Sequence, residues 1–132
     1  MSSPSVQLTD NDLLYYLHIP KTGGTSFTDI LIANFKPSES SFSRLVHEFV
    51  KIPPEVIANY KAISGHYYYN ITPFTRRTPI YITMLRDPVE RTISDYAQMR
   101  RSAPHYGHQL ANSQSLLEFV KDPRSQIGRA HV

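Results

Sequence analysis

Leu13-Leu-Tyr-Tyr-Leu-His-Ile-Pro-Lys-Thr-Gly-Gly-Thr-Ser-Phe27 is the stretch whose reading decides the fold. Its opening run, Leu13 to Ile19, has the length and composition of a buried strand. Pro20 ends that run, because proline has no amide hydrogen to give a neighbouring strand. Past the glycines, Phe27, Ile30, Leu31 and Phe35 recur at helical spacing. A strand, a tight glycine turn and a helix make the geometry in which backbone amides and a helix N-terminus converge on an anion. Gly23 and Gly24 can take backbone angles closed to other residues and let a ligand approach the main chain. Lys21, beside Thr22, adds a mobile positive charge, and Thr25 or Ser26 can cap the helix or donate to the anion. The stretch reads as a phosphate or sulfate cradle. The competing reading is an ordinary strand-to-helix turn with glycines for tightness. The lysine precedes the glycines and Gly-x-x-x-x-Gly-Lys-Ser/Thr is absent, which argues against an ordinary kinase or nucleotide triphosphatase.

The bulk numbers agree with one small globular domain: 132 residues, 40% hydrophobic and 19% charged. The formal net charge of +3 suits an anionic ligand without demanding nucleic acid. There is no cysteine, so disulfide and thiolate chemistry are excluded. The N-terminus lacks the basic start and apolar core of a signal peptide, and no apolar run approaches the roughly 18 residues of a membrane span. The final six residues, Ile127 to Val132, are what one frame of a common sequencing adapter encodes, and they are set aside as a non-native tail. The expected organisation is therefore a disordered stretch over 1–11, a partial domain over 12–126 and the tail over 127–132.

Working outward, Pro37 stops the first helix and Ser38 to Ser43 reads as a serine-rich loop. Leu45 to Val50 predicts a short helix, and Pro54 starts another whose Val56, Ile57 and Tyr60 share a face. Ala62 to His66 reads as a second strand leading into Tyr67, Tyr68 and Tyr69. Asn70 to Pro79 reads as a loop. Ile80 to Leu85 is β-branched and apolar throughout, the clearest candidate for a buried strand. It ends at Arg86-Asp87-Pro88, where Asp87 can cap a helix that begins at Pro88 and carries Val89, Ile93, Tyr96 and Ala97 inward. Ser102 to Ser113 reads as a loop and Ser115 to Lys121 as a further short helix. Strands alternating with helices imply an α/β layered domain with a parallel sheet. Sites in such sheets sit at the carboxyl ends of the strands. All three candidate strands deliver polar groups there: Lys21, His66 and Arg86.

Arg86 leaves a strand where a helix begins, and Ser94 lies two turns along that helix. A guanidinium and a hydroxyl so placed can grip a second phosphate. The alternative is an arginine bonded to Asp87 or Glu90, with Ser94 merely exposed.

His18-Ile-Pro-Lys-Thr-Gly-Gly-Thr-Ser-Phe27 resembles the 5′-phosphosulfate loop of sulfotransferases, especially the carbohydrate group that includes heparan sulfate 2-O- and 6-O-sulfotransferases. Leu85-Arg-Asp-Pro-Val-Glu-Arg-Thr-Ile-Ser-Asp-Tyr96 resembles their 3′-phosphate motif. Ser64-Gly65-His66 is similar to the segment that carries the catalytic histidine in the 2-O group. The resemblance implies a P-loop-NTPase-like three-layer α/β domain with a central parallel sheet, incomplete at its C-terminus. It also implies 3′-phosphoadenosine 5′-phosphosulfate (PAPS) as co-substrate, without a metal, and a hydroxyl of a glycan or small molecule as acceptor. On this reading Lys21 neutralises charge on the departing phosphate, and Lys21, Thr22, Gly23, Gly24, Thr25 and Ser26 hold the 5′ end. Arg86 and Ser94 fix the 3′-phosphate. His66 takes the acceptor's proton, an imidazole with its ordinary pKa of about 6.5 being suited to that at neutral pH. Family members in the Golgi carry an upstream anchor that this sequence does not show, so a soluble cytoplasmic enzyme is the expectation, with a membrane-anchored or Golgi enzyme as the alternative if an N-terminal anchor is missing.

Rivals stand beside each role. His66 can be a plain strand-end residue, His47-Glu48 an alternative acid/base pair, and His18 a residue that orients Lys21 or packs. His105 and His108, with Tyr106, can meet an acidic acceptor. The tyrosines 67–69 can stack on a sugar or on adenine. A non-catalytic nucleotide- or anion-binding module is the rival from another class. Nucleic-acid binding through Arg76, Arg77, Arg100 and Arg101 has neither a motif nor a long cationic run behind it.

Overall fold

The computed structural model describes residues 7–43, 46–66 and 70–125. Two compact units divide the chain: Met1–Ile19 with Gly23–Met84, and Pro20–Thr22 with Leu85–Val132.

The first unit holds a parallel sheet of four strands: β1 Leu14–Leu17, β2 Ser40–Ser41, β3 Ala62–Gly65 and β4 Ile80–Thr83, in the order β2-β3-β1-β4. Between them run α1 Gly24–Asn34, α2 Val46–Phe49, α3 Pro54–Ile57 and α4 Thr72–Thr75. The α/β class and parallel pairing expected from the alternation are present. In register, Leu17 faces both Gly65 and Thr83, so the central strands end level.

Both faces of β1 are buried, as its unbroken apolar run requires. Leu13 and Tyr15 point to one face, where they pack with Phe49, Ile57, Tyr60, Ile63 and Ile71. Leu14 and Tyr16 point to the other and pack with Leu31 and Ala62, flanked by Phe27 and Phe35. Alternation along a strand thus sorts one hydrophobic run into two cores.

Four expectations fail in this unit. β4 is not a buried strand: among the described residues it pairs with β1 alone, at the edge of the sheet, and Ile80 and Tyr81 are exposed. The serine-rich loop contains a 3-10 turn, Pro37–Glu39, and then β2, which pairs with β3. The loop from Asn70 contains α4. Ile30 and Val56 are exposed, because only part of each helix's apolar stripe meets the sheet. The tyrosines 67–69 and residues 127–132 lie outside the described residues.

The second unit is helical: α5 Pro88–Arg101, α6 His108–Ser113 and α7 Leu116–Lys121. Asp87 caps α5 as the sequence suggests, its carboxylate accepting from the Glu90 amide at 2.9 Å. Ser115 and Glu118 close a reciprocal capping box on α7. The core is Tyr96, Met99, Ala111 and Phe119. Val89 and Ile93, expected inside, are exposed. The C-terminal half of α5 is the part that packs, and α6 occupies what reads as loop. No described helix is long and apolar enough to cross a membrane.

Candidate active site

The turn after β1 is shaped by its backbone. Lys21 and Gly23 both take left-handed angles, φ 66° and 86°. For lysine that conformation is costly, by roughly 1–2 kcal/mol, and such strain concentrates where function demands it. Gly23 is the N-cap of α1, and no side chain caps the helix. Thr25 and Ser26 therefore do not act as caps; a glycine in the left-handed region already turns the chain, and their hydroxyls bond nothing among the described residues. The first-turn amides of α1 are left for an outside acceptor, at the positive end of the helix dipole. Gly24 is required for a different reason. A Cβ there would lie 1.9 Å from His18 Nε2, so the imidazole occupies the space a side chain would need.

His18 links this turn to the end of β3. Its ring stacks on Tyr16, centroids 5.4 Å apart, and lies 4.4 Å from the His66 ring. His66 Nδ1 is 2.6 Å from the His18 carbonyl oxygen. A carbonyl can only accept, so Nδ1 carries the hydrogen, and in the neutral ring the lone pair falls on Nε2. That is the tautomer a general base needs. The register of Leu17 with Gly65 brings about this meeting of residues 48 apart in sequence.

Beside these rings a cleft of about 120 Å³ opens along α1, lined by Thr25, Thr28, Asp29 and Ile32, with Phe42, Ser64, Gly65 and His18 opposite. The Thr28 hydroxyl is buried there without a hydrogen-bond partner among the described residues. The helical spacing of Thr25, Thr28, Asp29 and Ile32 was the available signal for this face, but a search for apolar periodicity passes over it.

In the second unit, Arg86 and Lys21 meet. The guanidinium Nη1 donates to the Lys21 carbonyl at 3.4 Å, while Nε lies 3.4 Å from the Glu90 carboxylate. The pairing with Glu90 that the sequence left open is therefore present, but it is long and solvent-exposed, and it leaves Arg86 in reach of the loop. Lys21 has no ion pair among the described residues. Thr22 is buried. Ser94 is half-buried, and its hydroxyl has no partner among the described residues.

The other candidates are occupied elsewhere. His105 Nδ1 accepts from the Gly107 amide at 3.2 Å and fastens its own loop, and His108 Nδ1 lies 2.9 Å from the Met99 carbonyl, tying the start of α6 to α5. Glu48 accepts from the Ser43 hydroxyl, which separates it from an acid/base role with the exposed His47. Arg77 donates to the Tyr60 carbonyl at 2.5 Å, and Arg100 lies over the Tyr96 ring. Two of the four arginines that could have met nucleic acid thus serve their own chain.

No curated protein sequence matches the chain. A family model described as "Sulfotransferase family" matches residues 5–128, nearly the whole sequence.

Proposed function

From the premise that this chain belongs to the sulfotransferase family, we propose that it moves a sulfuryl group from PAPS to a hydroxyl of a glycan or small-molecule acceptor, with His66 as the base. The observation that carries the reading is the start of α1. It is uncapped, preceded by left-handed Lys21 and Gly23, and cleared of side chain at Gly24. Such a turn fits a phosphosulfate end.

When bound, the donor supplies an activated sulfuryl group. Gly23, Gly24, Thr25 and Ser26, with Lys21 and Thr22, hold its 5′ end by amides and hydroxyls. Arg86 and Ser94 hold its 3′-phosphate, the arginine through its planar fork. In the transfer the acceptor oxygen forms a bond to sulfur as the bond from sulfur to the phosphate oxygen breaks. The acceptor proton passes to His66 Nε2, and the Lys21 ammonium balances charge growing on the departing oxygen. Positioning and charge stabilisation account for the rate, as in phosphoryl transfer. The soluble, cytoplasmic setting belongs to the same proposal.

The test uses full-length protein, labelled PAPS and a pool of hydroxyl acceptors. His66→Ala is expected to lower transfer by a factor of about 10²–10⁴, the usual range for a lost general base, with nucleotide affinity nearly intact. Lys21→Ala is expected to weaken both. Equal transfer by wild type and His66→Ala would remove His66 from the mechanism.

A further inference from the structure

We infer that the cleft along α1 receives the acceptor, and that this acceptor is an uncharged or amine-bearing hydroxyl compound rather than an acidic glycan. The inference rests on the sulfuryl-transfer reading above and narrows its acceptor.

The location comes first. His18 lines the cleft, and its ring and carbonyl hold His66. Gly65, the residue before the base, lines it as well. His66 does not itself line the cleft, so a hydroxyl bound there lies one ring away from the residue proposed to take its proton.

The chemistry of the walls selects the class. Thr25 and Asp29 are the exposed polar residues of the lining, and Ile32 with Phe42 adds an apolar surface, a combination that matches the polar edge and apolar face of a sugar ring. Among the described residues, Asp29 is the single carboxylate in the lining, and neither lysine nor arginine lines the cleft. The Asp29 carboxylate also has no ion pair or hydrogen bond among the described residues. An acceptor bearing carboxylates or sulfates would bring like charge against it, which is how sites reject wrong partners. An ammonium would be attracted, and a neutral hydroxyl would find an acceptor. At about 120 Å³ the cleft is smaller than the roughly 300 Å³ of an ordinary ligand pocket, so it takes one terminal ring and not several.

Three probes of one ring size test this on full-length protein with PAPS: N-acetylglucosamine, glucosamine and glucuronic acid. The first two are expected to be sulfated with kcat/KM roughly tenfold above the third. Asp29→Lys is expected to reverse that order, while affinity for adenosine 3′,5′-bisphosphate stays within about twofold. If bisphosphate binds but glucuronic acid is an equal or better acceptor, or the order survives Asp29→Lys, or none of the three is sulfated, the acceptor inference falls alone. If wild type neither binds bisphosphate nor transfers to any acceptor, the sulfuryl-transfer reading falls with it.

Discussion

The turn before α1 and the arginine at the start of α5 are both suited to hold an anion, yet they are built from different materials. The turn is a main-chain object. Its shape resides in two left-handed residues, an uncapped helix start and a glycine against an imidazole. The arginine grip is a side-chain object, with Arg86 shared between the Lys21 carbonyl and Glu90 at 3.4 Å each. A main-chain grip is fixed before the ligand arrives, so little ordering remains to oppose binding. A side-chain grip keeps its rotamer freedom and must leave a competing partner first.

Of changes to the two grips, the most damaging should therefore be a methyl group in the turn. Gly24→Ala drives a Cβ into His18, whose ring cannot swing away easily because it stacks between Tyr16 and His66. Overpacking of this kind costs about 1–3 kcal/mol. Because the His18 carbonyl also holds His66, transfer should fall further than stability does. Gly23→Ala is the control: the space around it is open, with Met84 3.9 Å away, but φ is 86°. It should cost only the backbone strain, about 1–2 kcal/mol, and leave His18 and His66 undisturbed. Thermal unfolding and steady-state rates of both variants separate the two effects. Equal losses of activity would mean that the His18 contact carries no weight.

The same contrast marks what could be read in the sequence. The turn was legible because glycine, proline and apolar runs act through local backbone physics: Leu14–Leu17, the turn and Gly24–Asn34 lie where the residues put them. The pairing of His18 with His66 was not, since it depends on β3 lying beside β1, and strand order is not a local property. Nor was the edge position of β4, whose apolar sequence suits burial on both faces while Ile80 and Tyr81 are in fact exposed. On α5 the apolar spacing pointed inward at Val89 and Ile93, but the inner face is set by Ala111 and Phe119, one on α6, which reads as loop, and one on a short helix whose docking is not a local property. Asp87 as a cap was legible, being a signal that needs only its own helix.

Removing the side-chain grip should matter less to the fold and more selectively to the ligand. A charge-assisted hydrogen bond contributes about 1.5–3 kcal/mol, so Arg86→Ala should weaken adenosine 3′,5′-bisphosphate roughly ten- to hundredfold. Binding of AMP, which lacks the 3′-phosphate, should hardly change. Calorimetry with the two nucleotides reads this directly, and equal losses for both would dissolve the distinction between the grips.

The finest test leaves Arg86 in place and removes its competitor. Glu90 and Arg86, which lies just before α5, form an exposed pair four residues apart, and exposed pairs contribute on the order of 0.5 kcal/mol. In Glu90→Gln the guanidinium no longer has to leave a carboxylate to meet a phosphate, and the negative charge beside the ligand is gone. The Asp87 cap is untouched, because it uses the Glu90 amide and not its side chain. Affinity for the bisphosphate should rise by less than about threefold, with AMP unchanged. The gain should shrink as salt is added, since the pair it removes is itself screened. A gain that persists in 1 M salt would instead mean that Glu90 holds Arg86 by geometry, and that the side-chain grip is as fixed in advance as the turn.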